Sequence, residues 1–234
     1  MIQSFKSLSM KHYTLLGFYS LGLLHWYLFL DYGSPEFRHE DWSFYHQLYD
    51  VIRYAFEIGE IPFHASFFAS DTIENTRYGS IRYFSMPWIS ASPQIILLKF
   101  FSTSAFIKFQ WMLFYTVACT GLYRWSKHLG LSLGASIFLW MAFCFNGTLV
   151  SKASVGHLMP LGLMLIPWWG WVLYKLIRSQ DDNGIKHNST IMLEFAFILF
   201  ICFLNSELHV PYQMVFVSSW IILFYPKCWV WYLG

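Results

Sequence analysis

The sequence predicts an all-α protein: a polytopic membrane helical bundle of about six transmembrane helices, with an interfacial amphipathic helix in the first outer loop. Three observations predict it. The 234-residue chain is 56% hydrophobic and only 12% charged, where a soluble domain carries about 25% charged residues. Aromatic residues make up 22%, as in chains whose spans end in belts of Trp and Tyr. Apolar runs alternate with polar connections along the chain, and most of them approach the ~20 residues needed to cross hydrocarbon.

The runs place spans at 13–30, 105–123, 131–145, 158–176, 191–204 and 212–225, in a single transmembrane domain covering 1–234. The first span is too long for the core of a cleaved signal peptide, and no small-residue cleavage site comes after it, so it reads as a retained anchor. Lys6 and Lys11 precede it, which puts the N-terminus in the cytoplasm. The connections on that side then hold Arg124 and Lys127, next Lys175, Arg178 and Lys186, and finally Lys227. The short outer turns hold Lys152 and no other cation. That alternation agrees with six spans. Pro160 and Pro167 should bend the fourth span, because a proline removes one helical donor and crowds the preceding turn.

The outer loop 31–104 collects most of the chain's acids. Within it, 43–57 has helical spacing: Phe44, Leu48, Val51, Ile52 and Ala55 share one face. His46, Asp50, Arg53 and Glu57 share the other, with Arg53 and Glu57 four apart. Such a helix should lie in the membrane interface, and Gly59 and Pro62 should end it. Ser92-Pro93 should restart a helix, with proline in the first turn.

Several chemistries are unsupported. A net charge of +2 gives no large basic field for nucleic acid. The four cysteines, Cys119, Cys144, Cys202 and Cys228, lack metal-ligand spacing and read as small apolar residues. No nucleotide-binding glycine loop, zinc-protease helix or serine-hydrolase elbow occurs.

With the expected topology the outer side gathers Glu40, Asp41, His39, His64, His157, Glu207 and His209 from separate connections. A site at the outer face is therefore the economical hypothesis. Asp41 falls on the helical face of Leu48 and Ile52, away from the polar stripe. A carboxylate there needs a partner or a task; equally, Asp41 could cap the helix start. His157 could position a phosphate, or bond backbone at the start of its span. Glu207-Leu208-His209 could hold a divalent metal such as Mg or Mn, bind a substrate, or sit solvated in a loop.

The order of short motifs adds a family reading. Glu40-Asp41-Trp42 leads through the amphipathic helix into Gly59-Glu60-Ile61-Pro62 and on to Ser90-Ala91-Ser92-Pro93. Phe145-Asn146-Gly147 and Gly156-His157-Leu158 come next, then a span rich in Pro and Trp. Over roughly 13–213 this resembles the N-terminal part of the GT-C class of integral-membrane glycosyltransferases, most closely the YfhO-like bacterial membrane proteins. The resemblance implies transfer of a sugar from a polyprenyl-phosphate donor at the non-cytoplasmic face of a bacterial inner (plasma) membrane. It implies that an acid of the first outer loop activates the acceptor, here Asp41 with Glu40 beside it. His157 and Lys152 would then serve the phosphate, and His64, Glu207 and His209 the rest of the substrate. Members of that class usually carry more spans, so a membrane protein partner supplying further helices belongs to the expectation. A non-catalytic scaffold or assembly subunit, and a lipid or solute transporter, are the competing readings; only His25 and the two prolines hint at the last.

Overall fold

A computed structural model describes residues 10–33, 40–59, 87–179, 185–206 and 208–224. Among them the chain is helical throughout, with no strand. The elements are α1 (Met10–Gly33), α2 (Glu40–Glu57), α3 (Pro87–Ser90), a 3-10 helix (Pro93–Lys99), α4 (Thr103–His128), α5 (Leu133–Cys144), α6 (Gly147–Ser154), α7 (Met159–Leu163), α8 (Ile166–Ser179), α9 (Ile185–Asn205) and α10 (His209–Phe224).

Among the described residues, three stretches are long and apolar enough to cross a membrane: His12–Asp31, Leu133–Ser154 and Met159–Arg178. Ser189–Asn205 is apolar but shorter. Helix α4 is longer than any of these, yet Lys108, Gln110, Arg124 and Lys127 dilute its apolar character.

Paired contacts fix the helix directions. His12 meets Tyr123, Tyr19 meets Thr116 and Asp31 meets Lys108, so α1 and α4 are antiparallel. Trp168 bonds Thr120 and Tyr174 bonds His128, so α4 and α8 run the same way. Lys175 pairs with Glu194 while Ser206 reaches Met159, which makes α9 antiparallel to the α7–α8 pair. One end of the bundle therefore holds α2, Asp31, the α5–α7 connection and the α9–α10 turn. The other holds Arg124, Lys127, His128 and Arg178.

Helix ends obey local chemistry. Ser102, Ser132 and Asn146 each accept a hydrogen bond from the backbone N–H three residues on, which satisfies a donor left open by the first turn. Gly130, at φ +60°, closes α4, with Leu131 N–H bonding Ser126 O and Gly130 N–H bonding Lys127 O. The fourth expected span is broken at Met164 and Leu165, between α7 and α8, where Pro167 cannot donate to the preceding turn.

Three expectations need correction. The amphipathic helix begins at Glu40 rather than residue 43, so both Glu40 and Asp41 lie in its first turn. The connection expected as a polar turn between residues 146 and 157 is largely helix α6, because the Asn146 side chain caps it. Asp41 does not take the buried face of α2: its side chain is 51% exposed, and Trp42 is fully buried beside it. The α2 core face runs instead through Trp42, Tyr45, Leu48, Tyr49, Ile52 and Ala55.

The core is aromatic at its centre. Trp26, Trp42, Trp111, Tyr49, Tyr115 and Phe106 are fully buried, with Trp111 contacting both Trp26 and Trp42 (ring centroids 5.2 and 6.1 Å apart). Burying such rings removes the largest apolar areas any side chain offers. Cys119 and Cys144 are buried free thiols in contact across α4 and α5.

Candidate functional site

The site is built on the end of α6. Gly156 takes φ +88°, and its N–H bonds Ala153 O at 3.2 Å while His157 N–H bonds Lys152 O at 3.0 Å. This pair of bonds is a Schellman turn, which needs a left-handed residue, usually glycine, at that position. The turn leaves carbonyls of α6 facing the start of α2. Val155 O accepts the Asp41 backbone N–H at 3.0 Å, and Ala153 O accepts the Trp42 indole Nε1–H at 2.8 Å. The approach is close: a Cβ on Gly156 would strike Trp42 and sit 2.9 Å from the Asp41 carbonyl carbon.

This docking sets the side chains of Asp41 and His157 together. Asp41 Oδ2 lies 3.4 Å from His157 Nε2, with the imidazole 30% exposed. Both groups are thus partly sheltered yet reachable from solvent. Glu40, immediately before, has φ +50°, a conformation that costs a non-glycine residue roughly 1 kcal/mol or more. Strained backbone beside a carboxylate–imidazole pair is a feature that clusters at functional sites. The Glu40 side chain is exposed, and its carbonyl accepts the Ser43 hydroxyl at 2.8 Å.

The other expected site residues are placed less centrally. Lys152 lies half-buried in the last turn of α6 and makes no ion pair among the described residues. His209 opens α10 and contacts Met159, two residues beyond His157. The α9–α10 turn thus packs beside the site, and Gly162 gives it room: a Cβ there would collide with Ser206. His64 and Glu207 lie outside the described residues. Among the described residues no group of three or more His, Cys, Asp or Glu gathers.

A second polar junction ties α2 to α4. The Thr103 hydroxyl donates to Asp50 Oδ1, His46 Nδ1 lies 2.9 Å from Asp50 Oδ2, and His46 Nε2 lies 3.2 Å from Ser104 Oγ. Burial works against the Asp50 charge, but hydrogen bonds from His46 and Thr103, with the charges of His46 and Arg53, outweigh it and hold the carboxyl below its ordinary value. The polar face of α2 therefore also anchors the helix. Arg53 and Glu57 pair at 3.2 Å as their spacing indicates.

A buried polar hub has no counterpart among the sequence expectations. Asn205 Oδ1 accepts from Ser92 Oγ at 2.8 Å, from Gln110 Nε2 at 3.1 Å and from Gln94. Gln110 Oε1 in turn accepts the Tyr49 hydroxyl at 3.1 Å. Gln110 and Asn205 are each 2% exposed. The only sequence signal is an amide inside or at the end of an apolar run, where an unpaired polar group is costly.

No protein-family model matches the chain, and neither a curated protein nor a solved structure matches it.

Proposed function

We propose that this chain is a membrane glycosyltransferase of the GT-C type, or the catalytic half of one. It would move a sugar from a polyprenyl-phosphate donor to an acceptor at the non-cytoplasmic face. Six spans, a cytoplasmic N-terminus and a bacterial inner membrane belong to the same reading. So does a partner that adds helices. The observation that carries it is the Asp41–His157 pair, 3.4 Å apart and drawn from two distant segments.

In this reading the Asp41 carboxylate takes the proton of an acceptor hydroxyl as that oxygen attacks the anomeric carbon. The bond from that carbon to the phosphate oxygen breaks, and the polyprenyl phosphate leaves with the electron pair. His157 orients Asp41 and donates a hydrogen bond where negative charge grows. Lys152, in the same connection, would add positive charge on the phosphate side. Glu40 is a neighbour whose charge favours the helix N-terminus. A divalent Mg or Mn ion would need ligands beyond this pair.

The second reading is a non-catalytic scaffold. The main-chain bond from Asp41 to Val155 favours it, since this contact holds α2 to α6 whether or not a reaction occurs. Transfer from a labelled lipid-linked sugar in membranes carrying Asp41→Asn or His157→Gln separates the two. The enzyme reading expects Asp41→Asn to lose about 10²-fold or more in product while the folded protein accumulates normally. Unchanged product in both variants would sink it.

A further inference from the structure

Along one face of α4 runs a groove with two chemically different halves, the basic one at the opposite end of the bundle from Asp41. The basic half is a cavity of about 860 Å³ lined by Thr120, Tyr123, Arg124, Lys127, His128, Trp168 and Trp171. The apolar half, about 500 Å³, is walled by Leu113 and Val117 of α4, Leu165 and Trp168, Phe197 of α9 and Leu97 of the 3-10 helix. Trp168 belongs to both, so the two halves adjoin. On α4 the lining residues 113, 117, 120, 124 and 127 recur at intervals of three and four, which is one helix face.

The basic half is built rather than incidental. The Arg124 guanidinium lies over the Trp168 ring, 4.6 Å from its centroid. That ring is held by its Nε1–H bond to Thr120 Oγ1 at 3.0 Å. Neighbouring Trp125 bonds Pro167 O at 3.0 Å, which locks α8 against α4. Tyr174 hydroxyl bridges His128 and Arg178 at 2.7 Å each. Arg124 and Lys127 are exposed, and among the described residues neither is paired with a carboxylate.

We propose that this groove binds an anionic phospholipid. Its phosphate would lie against Arg124 and Lys127, and one acyl chain would run past Trp168 along Leu113, Val117 and Phe197, between α4 and α9. The argument is complementarity. Clustered cations at the membrane boundary attract anionic headgroups, and the adjoining half offers apolar walls to the acyl chain. Each half falls within the usual size of a ligand pocket. A purely structural basic end would not need an apolar channel continuing from it.

Native mass spectrometry of the full chain in mild detergent tests it, with phosphatidylglycerol or phosphatidylcholine of identical chains added. The native chain is expected to retain phosphatidylglycerol well above phosphatidylcholine. An Arg124→Gln/Lys127→Gln variant should lose about fivefold in affinity per cation, about 30-fold for the pair. Both side chains are exposed, so the variant should keep the native circular dichroism. Val117→Trp, which fills the apolar half and leaves the charges intact, should weaken phosphatidylglycerol retention too. Equal retention of both lipids, unchanged retention in either variant, or full competition by inorganic phosphate overturns the proposal. So does a protein dimer that excludes lipid from the groove.

Discussion

Asn205 Oδ1 and Gln110 Nε2 meet at 3.1 Å in a place sealed from solvent, where α4 and α9 cross beside the Ser92 turn. One carbonyl oxygen there gathers donors from Ser92, Gln94 and Gln110. Asn205→Ala leaves all three without that acceptor; Ser92 and Gln110 are buried, Gln94 only half-buried, and each buried orphan costs about 1–3 kcal/mol. The expected outcome is a loss of about 2 kcal/mol or more, against about 1 kcal/mol for Ser92→Ala, which removes a single donor. Thermal unfolding in detergent monitored by tryptophan fluorescence reads both; equal small losses would contradict the hub.

Trp42→Phe keeps most of the ring surface against Trp111 but removes the N–H that bonds Ala153 O. Ala153 O keeps the Gly156 N–H, so the loss is that of one hydrogen bond, about 0.5–1.5 kcal/mol. The same unfolding assay should show a loss in that range. No loss would mean that the indole bond is dispensable.

Gly156→Ala meets two obstacles at once. Its φ of +88° disfavours a Cβ, and the space a Cβ needs is taken by Trp42 and the Asp41 backbone. The conformational part costs about 1–2 kcal/mol and overpacking typically about 1–3 kcal/mol more. The expected outcome is a lowered unfolding midpoint together with easier proteolysis at the start of α2. Gly59→Ala, at φ +77° with open space around it, should show only the conformational part.

The Asp50 junction sets a pH dependence with a definite sign. Its carboxyl is held below the ordinary value in the folded chain, so it stabilises the fold above the unfolded value of about 3.9. That contribution is lost as pH falls from there through the lower folded value. Unfolding midpoints measured downward from neutral pH should therefore fall below about pH 4. In Asp50→Asn the midpoint should start lower and lose this component of the slope. An Asp50→Asn curve parallel to the native one would refute the assignment.

Much of the helical layout is legible in the sequence because apolar runs and three–four spacing are local signals. The amphipathic pattern of Phe44, Leu48, Ile52 and Ala55 locates α2, and Pro160 and Pro167 mark the region where α7 gives way to α8. The start of α2 is not legible, because the first turn is held by carbonyls of a distant helix rather than by a neighbouring side chain. Helix α6 is hidden because Asn146-Gly147 suggests a turn, while the asparagine acts as a cap. Asp41 and His157 stand out as an acid and an imidazole of one side, and they do meet. His209 groups with them by the same reasoning, and among the described residues it touches Met159, beside the pair. Gln110 and Asn205 carry no pattern in sequence, since a buried amide is recognisable only by partners that folding brings to it.

The Schellman turn at Gly156 has a consequence for motion. The carboxylate of the Asp41–His157 pair is tied through its own backbone N–H to the end of α6, and the imidazole leaves from that same helix end. A tilt of α6 carries both groups together and preserves their separation. Pulling them apart means breaking the Asp41–Val155 bond or unwinding the turn itself. Whatever the pair does, its spacing is insulated from sliding among the long helices, and its rigidity is that of a single helix terminus.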